Sequence, residues 1–407
     1  MDYTTLFPAR ELPKDAGNID RNCLYAVFEQ IKDGRKKRGQ RYSLPLLLTL
    51  LLLARLAGET EISAAAEWIR LRSDWICEHL QIKRQTMPCT GTYLYLLSRI
   101  DHEQVTQLVA AYLIQAEARQ RCGEEPSRLR NQAGREHREH VALDGKTLRG
   151  TLGHVAEDQP PVHILSLYEV KTGVVLTQRV VREKENEISA AKEMALPQYV
   201  KGRVITADAI HTQKSFCQQI HRAGGKYLLY VKENHPTDYE DLAFFFEDAH
   251  ADRSQWHTSQ STEKGHGRLT TRTITTSTEM NAWFDVQWAG IVQVFRIERC
   301  VVRKGKTSKQ VVYGWTNFTP HEAGPEAIGG FSRDHWAIEN RLHWRRDVTL
   351  NEDHSQLRSK GKPPVLAVLN NTVLALMDWL GVRNVPAHMR RYAAHPHLAL
   401  ALLIRSL

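Results

Sequence analysis

Three acidic residues far apart in the chain, Asp144, Asp208 and Glu339, occupy positions from which carboxylates can be brought together. Asp144 directly follows Val141-Ala142-Leu143 and precedes Gly145-Lys146, and Asp208 directly follows Ile205-Thr206-Ala207. Each apolar run reads as a short buried strand, so the two acids are expected at or near strand ends, where they can share one opening. Glu339 lies in a helix predicted over 332–348, in which His335, Glu339, His343 and Arg346 fall at i, i+4, i+8 and i+11 and share a face. Trp336, Ile338 and Leu342 lie off that line and are expected to pack the helix against the sheet. Oxygen donors of this kind suit Mg²⁺ or Mn²⁺. Two such ions, roughly 3.5 to 4 Å apart, activate an attacking water or hydroxyl and stabilise the leaving oxygen of a phosphodiester. On that face Arg346 is expected to meet a phosphate bidentately. Taken singly, an aspartate after a strand is a turn former or helix cap, and a His-x-x-x-Glu-x-x-x-His face is a solvated surface. Only the conjunction of three acids with a suitable strand order favours chemistry.

The elements that would position these acids can be traced from the hydrophobic pattern. From Leu24 to Gln120 the period is helical, with Ser43 as a cap and Pro45 in the first turn of the apolar run Leu44 to Ala54. Gly58-Glu59-Thr60 breaks it before further helices at 62–71, 92–100 and 103–118. Such Arg-bearing helices can include a DNA-reading helix-turn-helix, although packing alone produces the same pattern. Residues 121–139, with five arginines and almost no large apolar side chain, read as a basic linker. The period then becomes strand-like at 140–143, 162–170 and 174–181. A helix at 187–199, a strand at 204–207, a helix at 213–223 and a strand at 227–231 follow. The order β-β-β-α-β-α-β is that of a ribonuclease-H-like domain. A β-rich insertion is predicted within 255–330, then the glutamate helix and a helix over 364–380. The expected organisation is therefore α+β: helical residues 1–120, linker 121–139, catalytic core 140–254 and 331–407, and insertion 255–330.

Composition narrows the class without deciding it. The 55 Lys and Arg against 46 Asp and Glu leave a formal charge of +9, with 19 His in reserve. That surplus draws the chain toward polyanions, nucleic acid first. The six cysteines form no C-x-x-C pair and no zinc-like spacing with histidine, which argues against a disulfide framework or structural zinc. Leu44 to Ala54, the most apolar run, is roughly half the length a membrane helix needs and lies too deep for a secretory signal. A cytoplasmic, nucleoid-associated protein is expected.

The runs Leu143-Asp144-Gly145-Lys146-Thr147-Leu148-Arg149-Gly150, Thr206-Ala207-Asp208-Ala209-Ile210-His211-Thr212-Gln213 and Arg333 to Val348 resemble the ISAs-type, or H-repeat-associated, insertion-sequence transposases. Tyr230 to Pro236, Glu263 to Arg268 and Glu352-Asp353 extend the resemblance over nearly the whole chain. It implies a ribonuclease-H-like DDE core with Asp144, Asp208 and Glu339 as catalytic and metal-binding acids. It also implies an amino-terminal associated domain, a β insertion and Mg²⁺-dependent cleavage and strand transfer. Related transposases carry a tyrosine, arginine, glutamate, lysine signature. Here Ser332 and His335 stand at its first two places and Arg346 at the last, and His235 stands where glutamine is usual. The expected reaction is hydrolysis at inverted-repeat ends followed by strand transfer into target DNA, by a homodimer when two ends are synapsed. Lys146, Arg149, His211, Gln213, Lys232, His266, Arg268, His335, His343, Arg345 and Arg346 are the expected DNA contacts. Trp315 and Trp336 are expected in the core, with stacking on a displaced base as the alternative. The rival readings are a repurposed transposase that binds DNA and has lost its chemistry, and a ribonuclease-H-like nuclease that hydrolyses but does not join.

Overall fold

A computed structural model describes residues 19–407 except 84–85, 124–138, 152–160, 182–185, 266, 286–287, 289, 356 and 359–360. The chain forms two compact units. One is drawn from Met1–Arg128, Gly145–Glu183 and Ile338–Leu407, the other from Leu129–Asp144 and Lys184–Ala337.

The first unit opens with six helices: α1 (Leu24–Glu29), α2 (Leu44–Leu56), α3 (Ile62–Arg70), α4 (Ser73–His79), α5 (Thr90–Leu97) and α6 (His102–Gly123). The Ser43 hydroxyl accepts from the Leu46 amide at 3.4 Å, and Pro45 occupies the first turn, so α2 starts where its sequence says. Nearly every residue of α2 is buried, because a helix apolar all round has to be surrounded. Its neighbours are α1, α3, α13 (Lys362–Trp379), α14 (Val385–Ala394) and α15 (Pro396–Ile404). The unit also contains the antiparallel hairpin of β2 (His163–Glu169) and β3 (Val174–Val181), against which α6 and α13 pack. Gly173 turns that hairpin at φ +76°, a conformation that favours glycine, and a Cβ there would strike the Asp378 carboxylate.

The second unit carries strands in the order β1-β4-β5-β9-β8-β7-β6. β1 (His140–Thr147), β4 (Val204–Ala207) and β5 (Lys226–Val231) run parallel. β4 is buried from end to end, as a central parallel strand covered on both faces must be. Between the strands lie α7 (Glu187–Met194), α8 (Pro197–Val200) and α9 (Lys214–Arg222). Asn186 caps α7, and Leu196-Pro197 divides the helix expected as one over 187–199. α10 (Pro236–Glu247) precedes four antiparallel strands. These are β6 (His257–Gly265), β7 (Arg268–Ser277), β8 (Gln293–Arg303) and β9 (Lys306–Thr316), with α11 (Asn281–Asp285) between β7 and β8. β9 pairs with β5, so the β-rich segment continues the central sheet. α12 (Pro325–Asp334) lies over this junction, where Ile274, Phe295, Ile297, Phe318 and Ile328 form a core. The chain order β1-β2-β3-α7-α8-β4-α9-β5 is the ribonuclease-H-like order, in an α+β protein whose amino-terminal part is helical. No helix among the described residues is long and apolar enough to cross a membrane.

Candidate active site

The parallel register of β1 and β4 decides where the two aspartates go. His140 pairs with Val204, Ala142 with Thr206 and Leu143 with Ala207, so Asp144 and Asp208, the latter in extended conformation just past the end of β4, come next in line. Side chains alternate along a strand, and register partners in a parallel pair share a face. Asp144 and Asp208 therefore project to the same side, above Ala142 and Thr206, which in turn lie above His140 and Val204. β1 itself runs past Asp144 to Thr147, so that acid sits within the strand rather than at its end.

Beneath the acids the same face carries a buried polar chain. The His140 imidazole Nε2 lies 2.8 Å from the Thr206 hydroxyl, and that hydroxyl lies 2.9 Å from His335 Nδ1 at the end of α12. Burial drives the His335 pKa below its usual value, against the pull of Asp144 and Asp208 and with the push of His211 and Lys232. Burial also pushes His140 down to about 3, helped by His335. One turn earlier in α12, Ser332 accepts a 2.7 Å hydrogen bond from the Tyr230 hydroxyl of β5. Burial lifts the pKa of that phenol to about 12. Ser332 and His335, the two departures from the related signature, are thus both hydrogen-bonded to this face. His335 is buried here and not presented to solvent.

The Asp208 side chain, 58% exposed, accepts from the Ala209 amide at 2.8 Å and lies 2.9 Å from Lys232 Nζ. Burial raises its pKa, but the hydrogen bond and charge of Lys232, the Ala209 amide and His335 outweigh that and hold it below the carboxylate range. A cleft of about 550 Å³ adjoins it, lined by Asp208, Ile210, Lys232, Asn234, Tyr239 and Gln310 among others. The Asp208 carboxylate is already paired with the Lys232 ammonium, and carboxylate oxygens of this kind are the donors that divalent cations such as Mg²⁺ take. Among the described residues no group of three or more His, Cys, Asp or Glu is close enough to hold a metal ion.

Glu339 belongs to the other unit and is exposed. The continuous α-helix expected over 332–348 is not formed. α12 stops at Asp334, and the chain resumes as π-helical turns at Ile338–His343 and Arg345–Thr349. The i→i+5 ladder rotates side chains away from the 3.6-residue face, and the arginines of this segment turn inward. Arg341 and Arg345 both bond Asp378, at 2.8 Å each, in the core of the first unit. Arg346 is fully buried, with Nε 2.8 Å from Glu352. Arg345 and Arg346 are therefore structural ion-pair partners, not phosphate contacts on an exposed face. Ile338 and Leu342 are buried as expected, whereas Trp336 is 56% exposed and does not pack inward.

The remaining expected DNA contacts divide by exposure. Lys146 is buried between Asp347, at 2.6 Å, and Asp353, at 3.6 Å. His211 is buried 3.5 Å from Glu187. Gln213 donates to the Ile210 carbonyl, and His343 is half-buried. Arg149, Lys232 and Arg268 present their charge to solvent. His266 lies outside the described residues. Trp315 is buried, which fits its expected core role. Sequence reasoning missed Thr206 and Tyr230. Thr206 was within reach, because it stands two residues before Asp208 and so shares its face.

Residues 135–365, more than half of the chain, match the transposase DDE domain family, and residues 25–113 match the DDE_Tnp_1-associated family. An uncharacterized protein in the dhlA 3' region of Xanthobacter autotrophicus is 30% identical over 67% of this chain and 86% of its own length. A protein of Escherichia coli O157:H7 named "Putative transposase YncI" is 26% identical over 85% of both chains. "H repeat-associated putative transposase YhhI" of Escherichia coli K12 is 28% identical over 54% of this chain and 58% of its own. A piggyBac transposase synaptic complex with hairpin DNA is similar at 10% identity and TM-score 0.40, over 94% of this chain and 77% of that one, too distant to bear on the fold. The chain belongs to the DDE transposase family of insertion-sequence type, whose members act on DNA with divalent cations.

Proposed function

We propose that Asp144, Asp208 and Glu339 together hold two Mg²⁺ or Mn²⁺ ions, with which this transposase cleaves its inverted-repeat ends and joins them to target DNA. The observation that carries this reading is the β1–β4 register, in which Leu143 pairs with Ala207, the residues directly before Asp144 and Asp208. Cations bound there supply activation of the attacking oxygen and charge relief for the leaving one. The protein's own part is to hold the Asp208 carboxylate ionised. Lys232 and the Ala209 amide do this. The Thr206–His335 bond fixes the end of α12, from which the chain continues to Glu339. Arg149, Lys232 and Arg268 are the exposed cations best suited to phosphate contact. Synapsis of two ends calls for a homodimer, acting on chromosomal and element DNA in the bacterial cytoplasm.

A second reading, DNA binding without chemistry, draws on Lys232, whose ammonium sits on Asp208 where a metal would be needed. Nicking of a labelled inverted-repeat duplex in Mg²⁺, with and without EDTA, decides between them. The enzyme reading expects Mg²⁺-dependent nicks that disappear, by roughly a thousandfold or more, in Asp144→Asn, Asp208→Asn and Glu339→Gln. Metal-independent cutting, or undiminished cutting by these variants, overturns it.

A further inference from the structure

The outer end of the β6–β9 sheet carries more positive charge than the described residues around it balance. In the antiparallel register Arg268 of β7 pairs with Arg303 of β8, and Arg303 pairs with Lys306 of β9, so three cations lie in one cross-strand row. Four residues inward on the same strands, Arg272 pairs with Arg299. Four is an even number and the ladders show no register shift, so both rows face the same side. Like charges directly opposite one another destabilise a sheet. Among the described residues the acid on that side is Glu263, shared between Arg272, at 3.1 Å, and Arg333, at 2.8 Å. The opposite face carries its own acid, Glu298, bonded to Arg296 at 2.5 Å and Lys309 at 3.1 Å.

Arg299 shows the cost of this arrangement. Its Nε is buried with no hydrogen-bond partner among the described residues. Burial, then repulsion from Arg272 and Arg268, lowers its pKa. A guanidinium whose Nε has no acceptor among the described residues, and which faces further cations, favours an anion bound from outside. The two rows span about 10 Å across three strands and about 13 Å along them. That length of duplex carries roughly eight phosphates, and guanidinium forks match phosphate geometry bidentately.

We infer that this face of β7, β8 and β9 is a binding surface for the sugar-phosphate backbone of duplex DNA, read through Arg268, Arg272, Arg299, Arg303 and Lys306. The choice of duplex DNA among polyanions rests on the proposed function, while the anion site rests on the charge rows alone. Base edges play no part in it, so it anchors DNA without regard to sequence and leaves the choice of ends to other surfaces.

The test is a salt titration of full-length protein binding to a fluorescent duplex of unrelated sequence, in EDTA so that cleavage does not intervene. Exposed Arg303 and Lys306 are replaced together by Ala. Loss of two phosphate contacts is expected to flatten the slope of log K against log salt by about 2 and weaken binding at about 0.1 M salt by roughly tenfold or more. Arg303→Lys, which keeps the charge, is expected to retain the slope. Relief of like-charge repulsion is expected to leave the thermal midpoint of the free double variant unchanged or raised, which separates a binding defect from misfolding. An unchanged slope and affinity in the double variant overturns the inference. So does a variant that loses heparin binding yet holds duplex DNA as before. Wild-type protein that fails to nick inverted repeats but shows the slope change refutes the proposed chemistry and leaves this surface standing.

Discussion

Asp208 is held ionised by groups that a metal would have to replace or share. Its carboxylate takes one bond from the Ala209 amide and one from Lys232. The lowered folded pKa means that this carboxylate contributes stability above the unfolded value, and the contribution is lost as pH falls through the folded one. Lys232→Met removes the largest opponent of burial, so the Asp208 pKa is expected to rise, measurable by carboxyl-carbon NMR titration of metal-free protein. An unmoved or lowered value would show that Lys232 does not set it. Below the acids, the Thr206 hydroxyl serves two imidazoles at once. Thr206→Val leaves two buried ring nitrogens without that partner and is expected to cost about 1–3 kcal/mol in urea unfolding. A smaller loss than about 0.5 kcal/mol would mean that the two rings find other partners. At this scale the sequence was legible where strand alternation applied. Asp144 and Asp208 follow apolar runs, and their pairing follows from strand order. It was illegible for Lys146 and His211, because nothing local says that Asp347 or Glu187 will fold over them.

The segment carrying Glu339 shows how an element departs from its sequence period. An α-helical wheel puts Arg346 beside Glu339, yet the structure buries Arg341, Arg345 and Arg346 and turns the helix into π-turns. The cause is tertiary. Asp378 on α13 draws two arginines, and Glu352 draws the third. Glu352 also accepts from Asn370 of α13 at 2.7 Å, and Asn370 in turn accepts from Arg55 of α2 at 2.8 Å. A buried polar chain therefore runs from the amino-terminal helices to the glutamate segment within one unit. Removing one partner strands a buried charge, which is costlier than replacing the pair. Glu352→Ala is expected to destabilise the protein by about 3–5 kcal/mol, and Arg346→Met with Glu352→Leu by clearly less, by chemical denaturation. Equal losses would mean that packing, not charge, is what the pair supplies. Periodicity reads one element at a time, so it found α2, β3, β4 and α13 closely and could not foresee a helix rewound by acids on other elements.

For the molecule as a whole, buried neutral histidine makes stability depend on pH. His140 is pushed from its usual 6.5 to about 3 in the fold. Below 6.5 the unfolded chain takes up a proton that the folded chain refuses, so stability falls as pH drops from about 6.5 toward 3. The slope from this one group reaches at most about 1.4 kcal/mol per pH unit. The thermal midpoint is therefore expected to fall between pH 7 and 5, and His140→Gln is expected to flatten that decline. A midpoint indifferent to pH in the wild type would contradict the assignment. The α+β class, the β-rich segment and the helical amino-terminal part were readable from hydrophobic period and motif order. The division of the chain into two units, with β1 shared at Asp144–Gly145, was not, because it depends on which distant segments pack together.

The central claim is that Asp144, Asp208 and Glu339 serve one pair of cations. Titration of Mn²⁺ into full-length protein, followed by the EPR signal of the free ion, tests it most directly. Two ions per chain are expected in the wild type, with Asp144→Asn, Asp208→Asn and Glu339→Gln each losing at least one of them. Unchanged stoichiometry and affinity in Glu339→Gln would contradict the claim, since that acid would then have no share in the metal site.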